Sequence, residues 1–550
     1  MVNKKLLINL ISLTGVTIVG STIAIGYVTN KVNNRFQDYG RPPVTSSDID
    51  LMQAYVAASV GGSKLLYLSS FTHSSPLNKV LNISEKNNSF IFNNLGKMGF
   101  LLIDDQYGSP FFNENKLFDL TRPQPIWSTN VASAQFRVDL GSFITGIAAG
   151  QFLNEHIEYF APNRNDANAD SHKKELTWGT YGGAEYSSVT SFMGGFQRGI
   201  EWFNKNVVPH SNGKFMELKQ ILLKDHFSHG FNPENARPIV GAFLEENVDL
   251  LFPIAGPQII EVARLVKQFN KRTVVLGVDT AVEKDTNADI SLPVIPDGNP
   301  IGGTNKIIQF SSVKNINVLA RQITKLINDP DLDVSNNPEF ENMGGIGYSS
   351  LGDVNNNGAG VSEAGEDYFE RAMKIFADAN QLQLDITDPL TAYKNSTTLL
   401  SNQQTFKDLD KPENKYYLDP KKWNYSDIAN SGTQMFPLTG NQEEISAWYD
   451  KFANGDETFI KNKEENMKLF NKWIELNKTG IESRKNTKTN LKGQFVKENW
   501  EKNKSIIKII FQSPTSILFD KSFLESCYIG LYQYWESKGV AIPKPPGYND

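Results

Sequence analysis

Cysteine is nearly absent from this 550-residue chain, which has only Cys527. One thiol excludes an intrachain disulfide framework and a cysteine-built zinc site. Excess positive charge is lacking too. Lys and Arg number 55 against 61 Asp and Glu, for a net charge of −6. Nucleic-acid phosphates demand clustered basic residues, so a nucleic-acid groove is not expected. No GxSxG nucleophile elbow, phosphate-gripping GxxxxGK[ST] loop or HExxH pair occurs. Long apolar runs are missing except for Leu6–Val28, because a bilayer span takes about 20 such residues.

What is present begins with that run. Lys4 and Lys5 precede it, the pattern of a signal peptide or an N-terminal membrane anchor over residues 1–28. The two lysines favour a cytoplasmic N-terminus and place the rest of the chain outside, on the extracellular face of the cell membrane. Ile18-Val19-Gly20 is lipoprotein-like, matching the end of a lipobox. Ser21 stands where the lipidated cysteine belongs, so no lipid anchor forms there.

Hydrophobic residues make up 39% and charged residues 21%, enough apolar material for more than one core in a chain of this length. Residues 38–47, with Gly40 and two prolines, predict a linker or tight loop. Strand and helix patterns then alternate. Helical spacing covers Ile49–Val60, Ser142–Leu153, Val189–Asn204 and Ile316–Ile327, and a helix starts at Pro76–Leu81. Strand patterns cover Lys64–Ser69, Gly99–Asp104, Val131–Val138, Leu176–Tyr181 and Ile307–Ser311. The clearest unit spans residues 245–283, where two apolar runs, Val248–Ile254 and Thr273–Val278, flank a helical Pro257–Phe269. Such alternation predicts an α/β fold with parallel sheets, in two lobes. Ligands of such sheets bind at the carboxyl ends of strands, which directs attention to Ala255-Gly256-Pro257 and Asp279-Thr280. Residues 385–550 change character and predict a mainly helical extension, with Ile460, Met467, Phe470 and Ile474 on one core-facing stripe.

Several motifs follow one another in order. Phe71 follows the strand near residue 65, and Asp104 ends the next one. Residues 130–137 (NVASAQFR) lead into 141–146 (GSFITG), then Gly182-Gly183, 192–199 (FMGGFQRG), 252–256 (FPIAG), Gly277-Val278-Asp279 and 311–314 (SSVK). This series resembles the basic membrane protein family, whose best-known branch is the PnrA-type nucleoside-binding proteins, over roughly residues 48–365. The resemblance implies a type I periplasmic-binding-protein fold, with two Rossmann-like lobes closing on a ligand. Within a domain at 29–384, lobe 1 would comprise about 48–145 and 280–320, and lobe 2 about 146–278 and 321–384. It also implies partnership with ABC transporter permease and ATPase subunits, no catalysis and no cofactor. Residue by residue, Asp104, Asp279 and Lys314 match polar binding positions, Phe252 matches an aromatic that stacks on the base, and Gly256 lies in the turn after it. At the start of the family pattern, Asn30 stands where an Asp is usual, and Phe36, in a shortened turn, would be a second stacking aromatic.

The chemistry suits a nucleoside, and the resemblance implies a purine. Base–aromatic stacking contributes about 1–3 kcal/mol per base, and strand-end carboxylates accept ribose hydroxyls, as in dinucleotide folds. A buried carboxylate also needs a partner, which Lys314 would supply. Phe71, Thr72 and His73 would rim the cleft, while Arg137 and Asp139 read equally as a structural pair or as ligand contacts. No metal is expected. His226 and His229 lack a third ligand, and the loop starting at Asp353 has Ala364 where calcium loops carry Glu. The alternative reading is a surface interaction protein that keeps the fold with a degenerate ligand site, the extension binding a partner. A nucleoside- or sugar-processing hydrolase is the least favoured.

Overall fold

The computed structural model describes residues 36–38, 48–60, 65–68, 99–104, most of 112–121, 131–162, 175–293, 301–316, 349–407, 442–476 and 507–510, apart from single gaps, and a few isolated positions between 73 and 95. Along the chain the strands are β1 (Phe36–Asp38), β2 (Leu65–Leu68), β3 (Gly99–Ile103), β4 (Val131–Phe136), β5 (Leu176–Gly182), β6 (Leu218–Gln220), β7 (Leu250–Ile254), β8 (Val274–Asp279), β9 (Ile308–Lys314), β10 (Ser349–Gly352), β11 (Ala359–Val361) and β12 (Ile507–Ile510). The helices used below are α1 (Asp48–Val60), α2 (Val138–Glu155), α3 (Ser187–Asn206), α4 (Ala236–Glu245), α5 (Gln258–Gln268), α6 (Glu363–Ala379), α7 (Ala392–Ser401), α8 (Gln442–Ala453), α9 (Glu457–Lys461) and α10 (Lys463–Leu476).

Two six-stranded sheets result. The first has the order β1-β12-β2-β3-β4-β10, all parallel, and the second β11-β9-β8-β7-β5-β6, parallel except for the β11 edge. The fold is therefore α/β with parallel-rich sheets. Parallel strands covered on both faces read as near-continuous apolar runs, and β7, LLFPI, is buried at every position.

Side-chain alternation shows how each sheet is covered. In β5, Trp178 packs on Phe196 of α3, while a side chain at Gly179 would run into Phe243 of α4. Successive residues point to opposite faces, so α3 and α4 lie on opposite sides of the second sheet. In the first sheet, Leu66, Leu68, Phe100 and Leu102 join a core with α1 and with Ile445, Tyr449, Phe459, Phe470 and Trp473 from the C-terminal region. Their neighbours Tyr67, Leu101 and Ile103 face the larger core shared with the second sheet.

Helix α2 sits in that shared core and is buried from Val138 through Asn154, as expected of a helix apolar on all sides. Its tight contact with α3 explains the glycine motifs. A Cβ at Gly146 would lie 2.4 Å from the Phe196 carbonyl oxygen, and one at Gly199 2.1 Å from that of Phe143. Only hydrogen at these positions lets the two backbones meet.

Three expectations need correction. Ile308–Lys314 belongs to the second sheet, beside β8, and not to the first lobe; β10, placed in the second lobe by the sequence, pairs with β4 of the first. The partner of a parallel strand lies across a crossover, so local pattern does not select it. Residues 385–550 are not purely an added helical unit, because β12 lies between β1 and β2 and α8–α10 cover the outer face of the first sheet. Ile460 is 57% exposed. It lies on α9, which ends before α10 begins, so it does not continue the stripe of Met467, Phe470 and Ile474; Phe459 is buried in its place.

Asn466 ties this C-terminal unit down. Its Oδ1 accepts from the Phe118 N–H at 2.7 Å, and its Nδ2 donates to the Tyr449 hydroxyl at 2.7 Å and the Lys116 carbonyl at 3.0 Å. A fully buried amide of this kind must be hydrogen-bonded. Among the described residues no helix is long and apolar enough to cross a membrane; Leu6–Val28 lies outside them, as do residues 39–47 of the expected loop and nearly all of the expected helix at Ile316–Ile327.

Candidate functional site

One aspartate directly follows β3 and another closes β8, both in the same unusual conformation. Asp104 has φ +74° and Asp279 φ +70°. The left-handed region is uncommon for residues other than glycine, and aspartate is among those that tolerate it. Asp104 still donates its N–H to the Ala134 carbonyl at 2.8 Å, so the ladder to β4 continues up to this residue. Asp279 lies opposite Val313 of β9, one residue from Lys314.

Lys314 joins the two carboxylates. Its Nζ lies 2.7 Å from Asp104 Oδ2 and 2.7 Å from Asp279 Oδ1. The three side chains are 5%, 10% and 16% exposed for Lys314, Asp104 and Asp279, so this is a nearly dry ion triad. It links the first sheet, through Asp104, to the second, through Asp279 and Lys314. The Phe192 ring of α3 lies under the ammonium, 5.5 Å from Nζ to the ring centre, a cation–π contact that favours the charged form.

Charge balance follows from burial. Burial opposes the Lys314 ammonium, but the two carboxylates outweigh it and raise its pKa above the ordinary lysine value. Burial, followed by the Asp279 charge, raises Asp104, against the pull of Lys314. Two carboxyl groups thus share one ammonium. Asp104 Oδ1 and Asp279 Oδ2 have no donor among the described residues. Two carboxyl oxygens without donors, both beside one ammonium, can accept two hydroxyl groups of a polyol.

The sequence-derived residues divide accordingly. Asp104, Asp279 and Lys314 come together. Phe252 does not join them: it is fully buried, with its ring 4.5 Å from that of Phe196. It lies inside β7, and its face toward α3 is filled, so it offers no open surface for stacking in this conformation. Gly256 occupies the turn between β7 and α5 with φ +51°. Phe36 is in strand β1, opposite Ile507, and not in the turn implied for it. Asn30, Phe71 and Thr72 lie outside the described residues. His73 is buried and hydrogen-bonded through Nδ1 to the Tyr55 hydroxyl at 2.7 Å; burial pushes its pKa down to about 3. Arg137 and Asp139 form a buried pair at 2.7 Å. Among the described residues no group of His, Cys, Asp or Glu is arranged to hold a metal. His229 pairs with Asp225 at 2.8 Å, and Asp353 caps its own turn by accepting from the Asn355 N–H at 2.8 Å.

Sequence reasoning missed Phe192, although it opens the FMGGFQRG motif. The signal was there: an aromatic one turn before glycines that force close helix packing is held rigidly. It also missed Glu283, which follows Asp279 by four residues and is buried.

Residues 26–215 match the sequence model of the Bmp family, described as ABC transporter substrate-binding protein PnrA-like. That span contains Asp104 and the α2–α3 glycine motifs; Asp279 and Lys314 lie beyond it. An uncharacterized lipoprotein of Mycoplasma genitalium is 30% identical over 316 residues, covering 50% of this chain and 51% of that protein. Its homologue in Mycoplasma pneumoniae is 29% identical over 322 residues, covering 50% and 46%. The chain thus spans about half the length of the curated relatives it matches. Among solved structures, an ABC transporter solute-binding protein from Aeropyrum pernix K1 aligns with 64% of this chain and 74% of its own, at 17% identity and a TM-score of 0.34.

Proposed function

We propose, on the premise that residues 26–215 make this chain a member of the Bmp family of PnrA-like ABC transporter substrate-binding proteins, that it captures a nucleoside outside the cell and passes it to an ABC permease. The family is one of transport binding proteins and not of enzymes. The observation that carries the ligand assignment is the Asp104–Lys314–Asp279 triad. It sets two carboxylates from opposite sheets around one ammonium at strand ends, where α/β sheets bind ligands. A ribose offers two adjacent hydroxyls as donors, and each finds a charged acceptor. The two-lobed arrangement then belongs to the type I binding-protein class, closing at the triad. The purine preference rests on the resemblance alone, since Phe252 is enclosed; base recognition requires another aromatic surface or an opening of the lobes.

The relatives in both mycoplasmas are called lipoproteins. In this chain, Ser21 replaces the cysteine a lipid would need, so Leu6–Val28 serves as the tether, and the permease and ATPase subunits are the partners. Calorimetric titration of residues 29–550, which keep β1 whole, with guanosine, adenosine, inosine and uridine tests the ligand. Binding of at least one, weakened about tenfold or more by Asp279→Asn, supports the assignment. Neither heat nor a thermal shift with any of the four overturns it and leaves the surface-interaction reading.

A further inference from the structure

Behind Asp279 lies a buried polar clasp to which nothing above assigns a role. After β8 the chain makes two tight turns, Thr280 N–H to the Val278 carbonyl at 2.9 Å and Val282 N–H to the Thr280 carbonyl at 2.8 Å. They deliver Glu283 into the interior at 8% exposure. The Ser311 hydroxyl of β9 donates to Glu283 Oε2 at 2.6 Å and accepts the Val282 N–H at 3.0 Å. The Ser311 N–H donates to the Ser362 hydroxyl oxygen at 2.9 Å, and the Ser362 N–H returns to the Ser311 carbonyl at 2.8 Å.

The contacts close a ring. Asp279 and Glu283 are fixed ends of one short loop, and Ser311 and Lys314 are fixed ends of one strand segment. The ring is joined at one side by Glu283–Ser311 and at the other by the 2.7 Å Asp279–Lys314 ion pair. Gly277 is part of the fit, since a Cβ there would lie 2.1 Å from Ser311 Oγ and 2.8 Å from Val282 Cβ. Glu283 Oε1 has no partner among the described residues. Burying a carboxyl with an unpaired oxygen is unfavourable, so the clasp is a poor device for stability alone.

We propose that Glu283 is a positioning residue for the ligand site: through Ser311, whose backbone is in turn bonded to Ser362, it holds the Asp279 turn against β9, so that Asp279 meets Lys314. This rests on the binding reading above for its purpose, but its geometry is testable without any ligand. The experiment is acylation of the ligand-free protein with acetic anhydride, read at Lys314 by peptide mass spectrometry. Lys219, whose side chain is 66% exposed, is the internal control. In the unmodified chain Lys314 is protected. In Glu283→Ala its labelling rises between about 10- and 100-fold, the factor that accompanies loss of one hydrogen bond to a charged group, while Lys219 does not change. Glu283→Gln still accepts the Ser311 hydroxyl and stays near the unmodified rate. Ser362→Ala, which leaves the Glu283–Ser311 bond in place, covers the case in which Glu283→Ala does not fold, and gives a smaller rise. Unchanged Lys314 protection in Glu283→Ala or Ser362→Ala, whatever happens to the melting temperature, overturns the proposal. Failure of the unmodified protein to bind any nucleoside overturns the ligand assignment instead, and the labelling result still decides this one.

Discussion

The two sheets of this protein are built in different ways. The second is assembled from neighbours along the chain, with β5 through β9 and helices α3–α5 all drawn from residues 176–314. The first is assembled from remote pieces: β2 pairs with β12, Leu65 opposite Ile507, and β10 closes the other edge. Short connections cost little entropy to close, and distant ones must be repaid by burial. The first sheet obtains that burial from α8 and α10, whose Tyr449, Phe470 and Trp473 cover its outer face. A region that reads as an appendage is therefore a structural part of the lobe that carries Asp104. The Asp104–Lys314–Asp279 triad lies where the two kinds of construction meet.

The strongest way to break this junction is Lys314→Met. Two carboxylates would then be left buried together without a counter-charge, a loss of about 3–5 kcal/mol. Urea denaturation at neutral pH measures it, and the deficit should shrink as acid protonates the carboxyls. In the unmodified chain the sign is set by the raised lysine pKa. The stabilisation is fully present below the ordinary value of 10.5 and is lost as pH rises through the higher value of the folded state.

Ile509→Pro separates the two sheets. Proline in an interior strand removes a ladder hydrogen bond and leaves its acceptor unpaired, at about 2–3 kcal/mol. Hydrogen exchange should quicken in β2 and β3 while β5, β7 and β8 keep their protection; equal loss in both sheets would show that they unfold as one unit.

Asp249→Asn probes the second sheet alone. Asp249 accepts from the Thr177 N–H at 2.8 Å and the Thr177 hydroxyl at 3.0 Å, yet burial raises its pKa to about 7. A folded-state value above the unfolded one means that the folded chain binds the extra proton. Stability therefore falls as pH rises from about 4 to about 7 and is level beyond. The substitution should remove that slope, roughly 2 kcal/mol after allowance for relaxation around the carboxyl. Denaturation midpoints of the two proteins across this range check it.

Gly277→Ala gives the smallest effect, roughly 1–2 kcal/mol from overpacking against Ser311 and Val282. Thermal melting reads it. It sharpens the comparison by showing how little slack the locally built sheet has beside the site.

Much of the second sheet was legible from residue pattern. The unit at 245–283 appears as β7, α5 and β8, and Asp279 stands at the strand end that its apolar run predicts. In the first sheet β2, β3 and β4 were also legible as strands, but β12 was not, because four residues in a polar region carry too little periodicity to stand out. The site was half legible. Asp104, Asp279 and Lys314 followed from the family resemblance, and the structure joins all three. Phe252 matched the same resemblance, yet its ring is enclosed against Phe196, since a strand residue's environment depends on the helix laid over that face. Glu283 carried no motif, and its place is visible only through Ser311 and Ser362.

Residue order by itself determined where strands and helices form, where glycines let α2 and α3 touch, and that one aspartate follows β3 and another closes β8. These properties depend on neighbours a few positions apart. Tertiary structure decided which strands pair, that β9 joins the second sheet, that β12 completes the first, and that one ammonium meets two carboxylates from different sheets. Those outcomes depend on contacts between residues far apart in the chain, which are set by burial and charge pairing in the folded molecule and leave no periodic trace in the sequence.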